Sequence, residues 1–296
     1  MRVAKVIATC FLPKKYINKS YLVGEPLGFF GHSQRGENED DIIKLIKFNI
    51  EKEKQCYAGV DRDLIIVNSD VNSFKGNKFI SELSTTEIPG GKIICITRKN
   101  IGRSFGAYSD AFLKFRKDYD FFLFTEDDMI IAKNNYLKIG LDLWKKKINV
   151  GFIAYIGTTK IGAWHWKDLD LHKKNAFSCH GASGLVSTKI LDEVVKKHGC
   201  LPYNKGFSRE KDITYGEVAF PNSILQLGYK LADLPKNEIL AIPAYDLMRG
   251  VTYKKWPNII EKIVFLFKSR MYKFFSINKL ALSIYLKCLN FLKKKA

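Results

Sequence analysis

The chain has 296 residues, 49 Lys and Arg against 30 Asp and Glu, a formal net charge of +19 and 46% apolar residues. That apolar content supplies a substantial core and excludes a disordered or fibrous chain. The length accommodates one large α/β domain with an appendage or two modest domains, and every long apolar stretch is interrupted by charge, so no spanning helix is expected.

In chain order, Val3 to Cys10 is a short β-branched apolar run that ends before Pro13 without a small-residue cleavage pattern. It reads as a first strand and not as a signal peptide. Gly31 to Asp41 is polar and reads as a solvated connection in preference to a mobile lid. Asp40 to Glu53 sets Ile42, Ile43, Ile46 and Ile50 on one stripe behind an acidic start, which predicts a helix. Leu64 to Asn68 and Lys92 to Thr97 are the second and third apolar runs, Ser109 to Lys117 has a short helical pattern, and Phe121 to Thr125 and Val150 to Ile156 are the fourth and fifth runs. Strands apolar on both faces and separated by helices predict an α/β fold with a mostly parallel central sheet flanked by helices. Ligands of such sheets bind beyond the carboxyl ends of the strands, so the residues just after each run are the candidates for function.

The first run ends in Thr9, Cys10 and Phe11, the second in Asn68, Ser69 and Asp70, the third in Arg98 to Gly106, and the fourth in Glu126, Asp127 and Asp128. Three consecutive acids after an apolar strand repel one another unless a cation or a set of donors compensates. Carboxylates so placed suit one hard divalent ion that keeps positions open for phosphate oxygens; the plainer alternative is an acidic turn before Ile130. Further along, Trp164, His165 and Trp166 offer aromatic faces on which sugar C–H surfaces stack, although core packing is the competing use of both Trp. His180 precedes the small residues Gly181 to Gly184, which let a backbone approach a ligand closely.

In this order the strand-end residues resemble the nucleotide-sugar-binding half of GT-A fold glycosyltransferases, especially the family-2-like group. The resemblance implies a Rossmann-type sheet, with Thr9, Asp70, Arg103 and Asp127 as nucleotide-sugar contacts. It implies Glu126 and Asp128 as ligands of Mn²⁺ or Mg²⁺ in a DxD-type motif. It covers about residues 1–245 and weakens past Gly151. The family's acceptor half often carries Gly-Glu-Asp opening a helix, followed by a Gly-Tyr-Lys entry. Here Gly216, Glu217 and Val218, then Gly228, Tyr229 and Lys230, follow that pattern with Val218 in place of the Asp. Glu217 is the implied catalytic base, with Asp212, Glu210 and Asp168 as alternatives, and Trp164, His165, Trp166 and His180 form the acceptor or sugar platform. The division expected is a catalytic domain over 1–250, its nucleotide-sugar half about 1–130 and its acceptor half about 131–250, followed by a 251–296 tail.

That tail holds eleven Lys or Arg against one acid, Glu261, so about half of the net charge lies in the last 46 residues. Apolar residues recur at helical spacing within it, among them Ile260, Ile263, Val264, Phe267, Met271 and Phe274. Basic amphipathic helices of this kind bind anionic membrane surfaces, and packing on the catalytic domain or a dimer partner is the alternative. The expectation is a peripheral enzyme on the cytoplasmic face of a membrane, moving a sugar from a nucleotide-diphosphate donor to a saccharide or lipid-linked acceptor. A nucleotidyltransferase is the second reading, but such enzymes usually carry a Gly-rich basic loop after the first strand, where Cys10 to Pro13 stand here. A nucleic-acid binder accounts for the charge but leaves the acids at 126 to 128 without a role, so no nucleic acid is expected. The six cysteines show no CxxC pairing and read as reduced thiols.

Overall fold

The computed structural model describes residues 1–11, 39–69, 71–127, 129–131, 133–166, 171–203, 214–234 and 241–243. The expectations placed on Asp70, Asp128, Asp168, Glu210, Asp212, most of the 31–41 connection and the 251–296 tail fall outside these residues.

The first half runs β1 (Val3–Thr9), α1 (Glu39–Gln55), β2 (Arg62–Asn68), α2 (Phe74–Leu83), β3 (Glu87–Ile88), β4 (Gly91–Thr97), α3 (Arg103–Phe115), β5 (Phe121–Glu126), β6 (Met129–Ile131), α4 (Tyr136–Lys146) and β7 (Val150–Ala154). A long hairpin of β8 (Thr158–Trp166) and β9 (Leu171–Cys179) follows, then a 3₁₀ turn at His180–Ala182 and β10 (Gly184–Ser187). The chain continues through α5 (Thr188–His198), a π-helical turn (Thr214–Val218), α6 (Ala219–Gln226), β11 (Lys230–Asp233) and β12 (Ala241–Pro243).

Among the described residues the main sheet has eight strands in the order β11-β7-β10-β5-β1-β2-β4-β3. β1 is parallel to β2 and β5, and β2 to β4. β10 runs antiparallel between β5 and β7, because the chain reaches it from the hairpin at the far end of the sheet and must descend. Both β1 and β2 are buried along their whole length. The two-residue alternation of a strand then feeds two cores. Ala4, Val6, Ala8, Ile65 and Val67 meet α3, α5 and α6 on one face, while Ile7, Leu64 and Ile66 meet α1 and α2 on the other. Leu123 and Leu185 carry that second face across to α4. Helices therefore cover both faces, as the spacing of the apolar runs predicts, and each fully buried Ile or Phe contributes roughly 1.5–3 kcal/mol.

The α1 stripe is as expected, with Ile42, Ile43, Ile46 and Ile50 all buried. The helix expected at Ser109 to Lys117 instead begins at Arg103 and ends at Phe115. Gly102 and Gly106 make this segment look like a loop, but Gly106 lies within the helix, and it is glycine because a Cβ there would lie 2.0 Å from the Ile101 carbonyl oxygen. One charged group in the interior is a structural pin. Glu53, near the end of α1, accepts from Lys5 Nζ at 2.7 Å, from Arg62 Nη2 at 2.7 Å and from the Tyr136 hydroxyl at 2.8 Å, with all four side chains buried. Burial alone would raise the Glu53 carboxyl, but the adjacent Lys5 and Arg62 hold it below the ordinary glutamate value.

Candidate active site

The chain steps outward from β1 to β2 and β4, then returns to the other side of β1 as β5, so the strand order reverses between β1 and β5. A crevice opens beyond the carboxyl ends of the strands at such a switch point. Thr9 and Cys10 end one flank, and Glu126 and Asp127 end the other.

Thr9 and Asp127 turn toward each other. The Thr9 hydroxyl donates to Asp127 Oδ2 at 2.7 Å, and both residues are buried, at 4% and 3% exposure. Asn49 of α1 donates to the Asp127 carbonyl at 2.7 Å, and the Asp127 amide bonds the Ala8 carbonyl at 3.1 Å. Thr9 and Asp127, both expected as nucleotide-sugar contacts, are thus bonded to each other, and these bonds fix the turn that follows β5.

Glu126 is half-buried, on the opposite side of the β5 terminus. It accepts from Ser104 Oγ at 2.6 Å, in the first turn of α3. Arg103 opens that helix with a positive φ of 47°, directly after Gly102 at 73°. A non-glycine residue in the left-handed region is uncommon, and such residues concentrate where ligands are gripped. The helix N-terminus, with its positive dipole end, thus stands at the same strand ends as the acid.

The returning strand supplies the rest. Because β10 descends beside β5, with Gly184 opposite Phe124, the turn at His180–Ala182 is delivered to the β5 terminus. Gly181 lies in the left-handed region at φ 56°, and a Cβ there would come within 3.0 Å of Glu126 Oε2. The Gly181 amide donates to Glu217 Oε1 at 3.1 Å. Glu217 is in the π-helical turn, a single wide turn of a type that recurs at functional sites. Gly216 beside it packs on Phe105, whose ring would lie 2.0 Å from an added Cβ. Asn222 of α6 then fastens this turn to the hairpin: its side chain bonds the Phe177 amide at 3.2 Å, the Phe177 carbonyl at 2.7 Å and the Val218 carbonyl at 2.5 Å.

Glu126, Arg103 and Glu217, three of the expected residues, are thus mounted on elements that meet around Gly181. Trp164, His165 and Trp166 lie on β8, paired in register with Lys173, His172 and Leu171, and His180 opens the 3₁₀ turn. Sequence reasoning missed Ser104, Tyr108, Asn49 and Asn222, as well as Arg98. The Arg98 guanidinium bonds Asp110 Oδ2 at 2.5 Å, Ser69 Oγ at 3.2 Å and the Ile101 carbonyl at 2.7 Å, tying the ends of β2 and β4 to α3. Arg98 and Ser104 carried a sequence signal, since both fall in the strand-end segment that runs from Arg98 to Gly106.

Among the described residues no group of three or more His, Cys, Asp or Glu is gathered to hold a metal ion. Glu126 provides the hard oxygen donors that Mg²⁺ or Mn²⁺ prefers, and such ions commonly take one or two carboxylates together with phosphate oxygens.

No protein-family model matches the sequence, and no curated protein matches it. Among solved structures, the chain is similar to the mannosyltransferase PcManGT from Pyrobaculum calidifontis, solved in complex with GDP-Man and Mn²⁺, at 12% identity and a TM-score of 0.45. That match covers 82% of this chain and 56% of the mannosyltransferase, so the chain spans little more than half the length of that protein. It is also similar to a putative glucose-1-phosphate thymidylyltransferase from Bacillus anthracis, at 13% identity and a TM-score of 0.43, over 79% of this chain and 86% of that one. A third is a CMP:2-keto-3-deoxy-manno-octonic acid synthetase complexed with CTP, at 11% identity and a TM-score of 0.42, over 85% and 97%. Likeness at this level is one of coarse α/β architecture.

Proposed function

We propose that the protein is a metal-dependent glycosyltransferase of GT-A type that moves a sugar from a nucleotide-diphosphate sugar to a saccharide or lipid-linked acceptor. The observation that carries this reading is the meeting of two carboxylates at Gly181, Glu126 from the first half of the chain and Glu217 from the second. A departing nucleoside diphosphate carries growing negative charge, and groups placed where that charge develops lower the barrier. Arg103 and the N-terminus of α3 are the groups for that role. Glu126, with Asp128, would hold Mn²⁺ or Mg²⁺, which when bound supplies Lewis-acid neutralisation of the diphosphate. Glu217 takes the proton of the attacking hydroxyl as general base, from the side opposite the leaving group, with inversion of configuration. Thr9 and Asp127 hold the β5 turn in place beneath these groups. Trp164, His165, Trp166 and His180 are proposed to receive the sugar or acceptor.

The tail is proposed to bring the enzyme to the anionic cytoplasmic face of a membrane, a reading supported by its ten surplus positive charges. Liposome sedimentation of the full chain and of a chain ending near Arg249 measures this; equal binding by both would sink it.

The catalytic reading is tested by following nucleoside diphosphate release from a panel of UDP- and GDP-hexoses with and without Mn²⁺. Release that depends on Mn²⁺, is lost in Asp128→Ala and falls steeply in Glu217→Gln supports it. Pyrophosphate formed from a nucleoside triphosphate and a sugar 1-phosphate, with no release from any nucleotide sugar, would identify a nucleotidyltransferase instead.

A further inference from the structure

We infer that Tyr108 is a positioning residue for Glu217, acting through the two peptide groups of Gly181; the inference rests on the reading of Glu217 as general base. Tyr108 is on α3, 2% exposed, with its ring edge-on to Phe105 at 5.9 Å and tilted onto Phe124 at 4.8 Å. Packed in this way, the ring leaves the hydroxyl little choice of direction. That hydroxyl donates to the Gly181 carbonyl at 3.2 Å, while the Gly181 amide donates to Glu217 Oε1 at 3.1 Å. One residue thus has its following peptide held by one half of the chain and presents its preceding peptide to the carboxylate of the other.

The need for such a latch follows from the glycine. Gly181 is left-handed, and an added Cβ would press on Glu126 Oε2 at 3.0 Å and Ser183 Oγ at 3.2 Å, so a side chain that would stiffen the backbone is disfavoured at this position. Glycine has the widest conformational freedom of any residue. The Gly181 carbonyl accepts from Tyr108 at 3.2 Å and from Ser183 Oγ at a longer 3.5 Å; without the shorter bond the Gly181 amide would sample more directions, and Glu217 would lose a fixed donor. With the anchor, the amide is held on Oε1 and the direction of the Glu217 carboxylate is fixed. A general base must be held within hydrogen-bond reach of the proton it removes. The Tyr108 hydroxyl acts by holding the donor still.

The test combines a substrate-free readout with kinetics on the full chain. Of the 21 glycines, the Gly181 amide is identified in ¹⁵N-glycine spectra as the resonance removed by Gly181→Ala. In Tyr108→Phe, which keeps the ring, that amide proton should move upfield and exchange with solvent at least roughly tenfold faster, while the other glycine amides stay in place. Glu217→Gln should move the same resonance. With the nucleotide sugar that gives the fastest diphosphate release, water serving as acceptor, Tyr108→Phe should lower kcat roughly tenfold and leave the donor KM within about twofold. An unmoved Gly181 amide overturns the proposal. So does an unchanged kcat alongside an inactive Glu217→Gln. Full turnover by Glu217→Gln removes the general-base reading itself, an outcome distinct from either.

Discussion

Thr9 Oγ1 and Asp127 Oδ2 lie 2.7 Å apart at the ends of two neighbouring parallel strands, and neither side chain is open to solvent. The bond fixes how the chain leaves β5, and therefore where Glu126 stands. Thr9→Val keeps the shape and removes the donor, leaving a buried carboxylate oxygen short of a partner. A hydrogen bond to a charged group is worth about 1.5–3 kcal/mol, so the urea midpoint should fall by that equivalent, with a parallel loss of turnover. An unchanged midpoint would mean that the turn is held by the backbone bond to Ala8 and the Asn49 bond without help from Thr9.

Glu53 faces two buried cations, Lys5 and Arg62. Glu53→Gln leaves both without their counter-charge, and removal of one member of a buried ionic group costs about 3–5 kcal/mol. The pH dependence has a definite sign. The folded carboxyl titrates below its ordinary value, so its contribution is complete above the ordinary glutamate range near about 4.3 and is lost as pH falls through the lower folded value. Chemical unfolding measured from pH 7 downward should show stability declining below that range in the wild type and a shallower decline in the variant. Parallel curves would refute the assignment.

Gly216 is seated against the Phe105 ring with no room for a methyl group. Gly216→Ala should push the π-helical turn off α3 at a cost of about 1–3 kcal/mol and lower turnover by roughly tenfold or more, because the displaced residue is next to Glu217. Phe105→Ala added to this variant returns the space. Partial recovery of turnover in the double variant is the expected result, and a purely additive loss would count against the steric account.

Asn222 makes three side-chain bonds that join α6, the π-helical turn and β9. Asn222→Ala leaves the Phe177 amide and the Val218 carbonyl without these bonds, and about 1–3 kcal/mol is expected for each buried group left unsatisfied. Hydrogen exchange should localise the loss: the Phe177 amide should lose protection while amides of β1 and β2 keep theirs. Uniform loss across the sheet would show instead that Asn222 supports the whole fold.

The alternation of apolar runs and helical stripes made the central sheet legible, because β1, β2 and the buried face of α1 are built from local periodicity. The strand-end rule pointed to the segments that carry Glu126 and Arg103, and the family resemblance pointed to Glu217. What the sequence hid was long-range. Thr9 and Asp127 are 118 positions apart, and nothing local distinguishes a strand-end threonine that bonds a ligand from one that bonds an aspartate. Lys5 looks like an interruption in an apolar strand until Glu53 is seen 48 positions away. Gly102 and Gly106 disguised the start of α3, since the second glycine is there to admit the Ile101 carbonyl and not to break the helix. Antiparallel β10 gave no sign either, because a four-residue run carries no record of its direction.

That strand has a consequence for how the molecule can vary. Ala154, the last residue of β7, and Gly184, the first of β10, are register partners. The intervening segment, which includes the whole β8–β9 hairpin, leaves the sheet and rejoins it at adjacent points. Its length and sequence are therefore uncoupled from the order of the main strands, and loop-closure cost grows only slowly with added residues. The distal part of the hairpin can thus change in length while the strands that bear Glu126 keep their order. The downstream end has fixed requirements, the Phe177 backbone held by Asn222 and a glycine at position 181 beneath the Tyr108 hydroxyl.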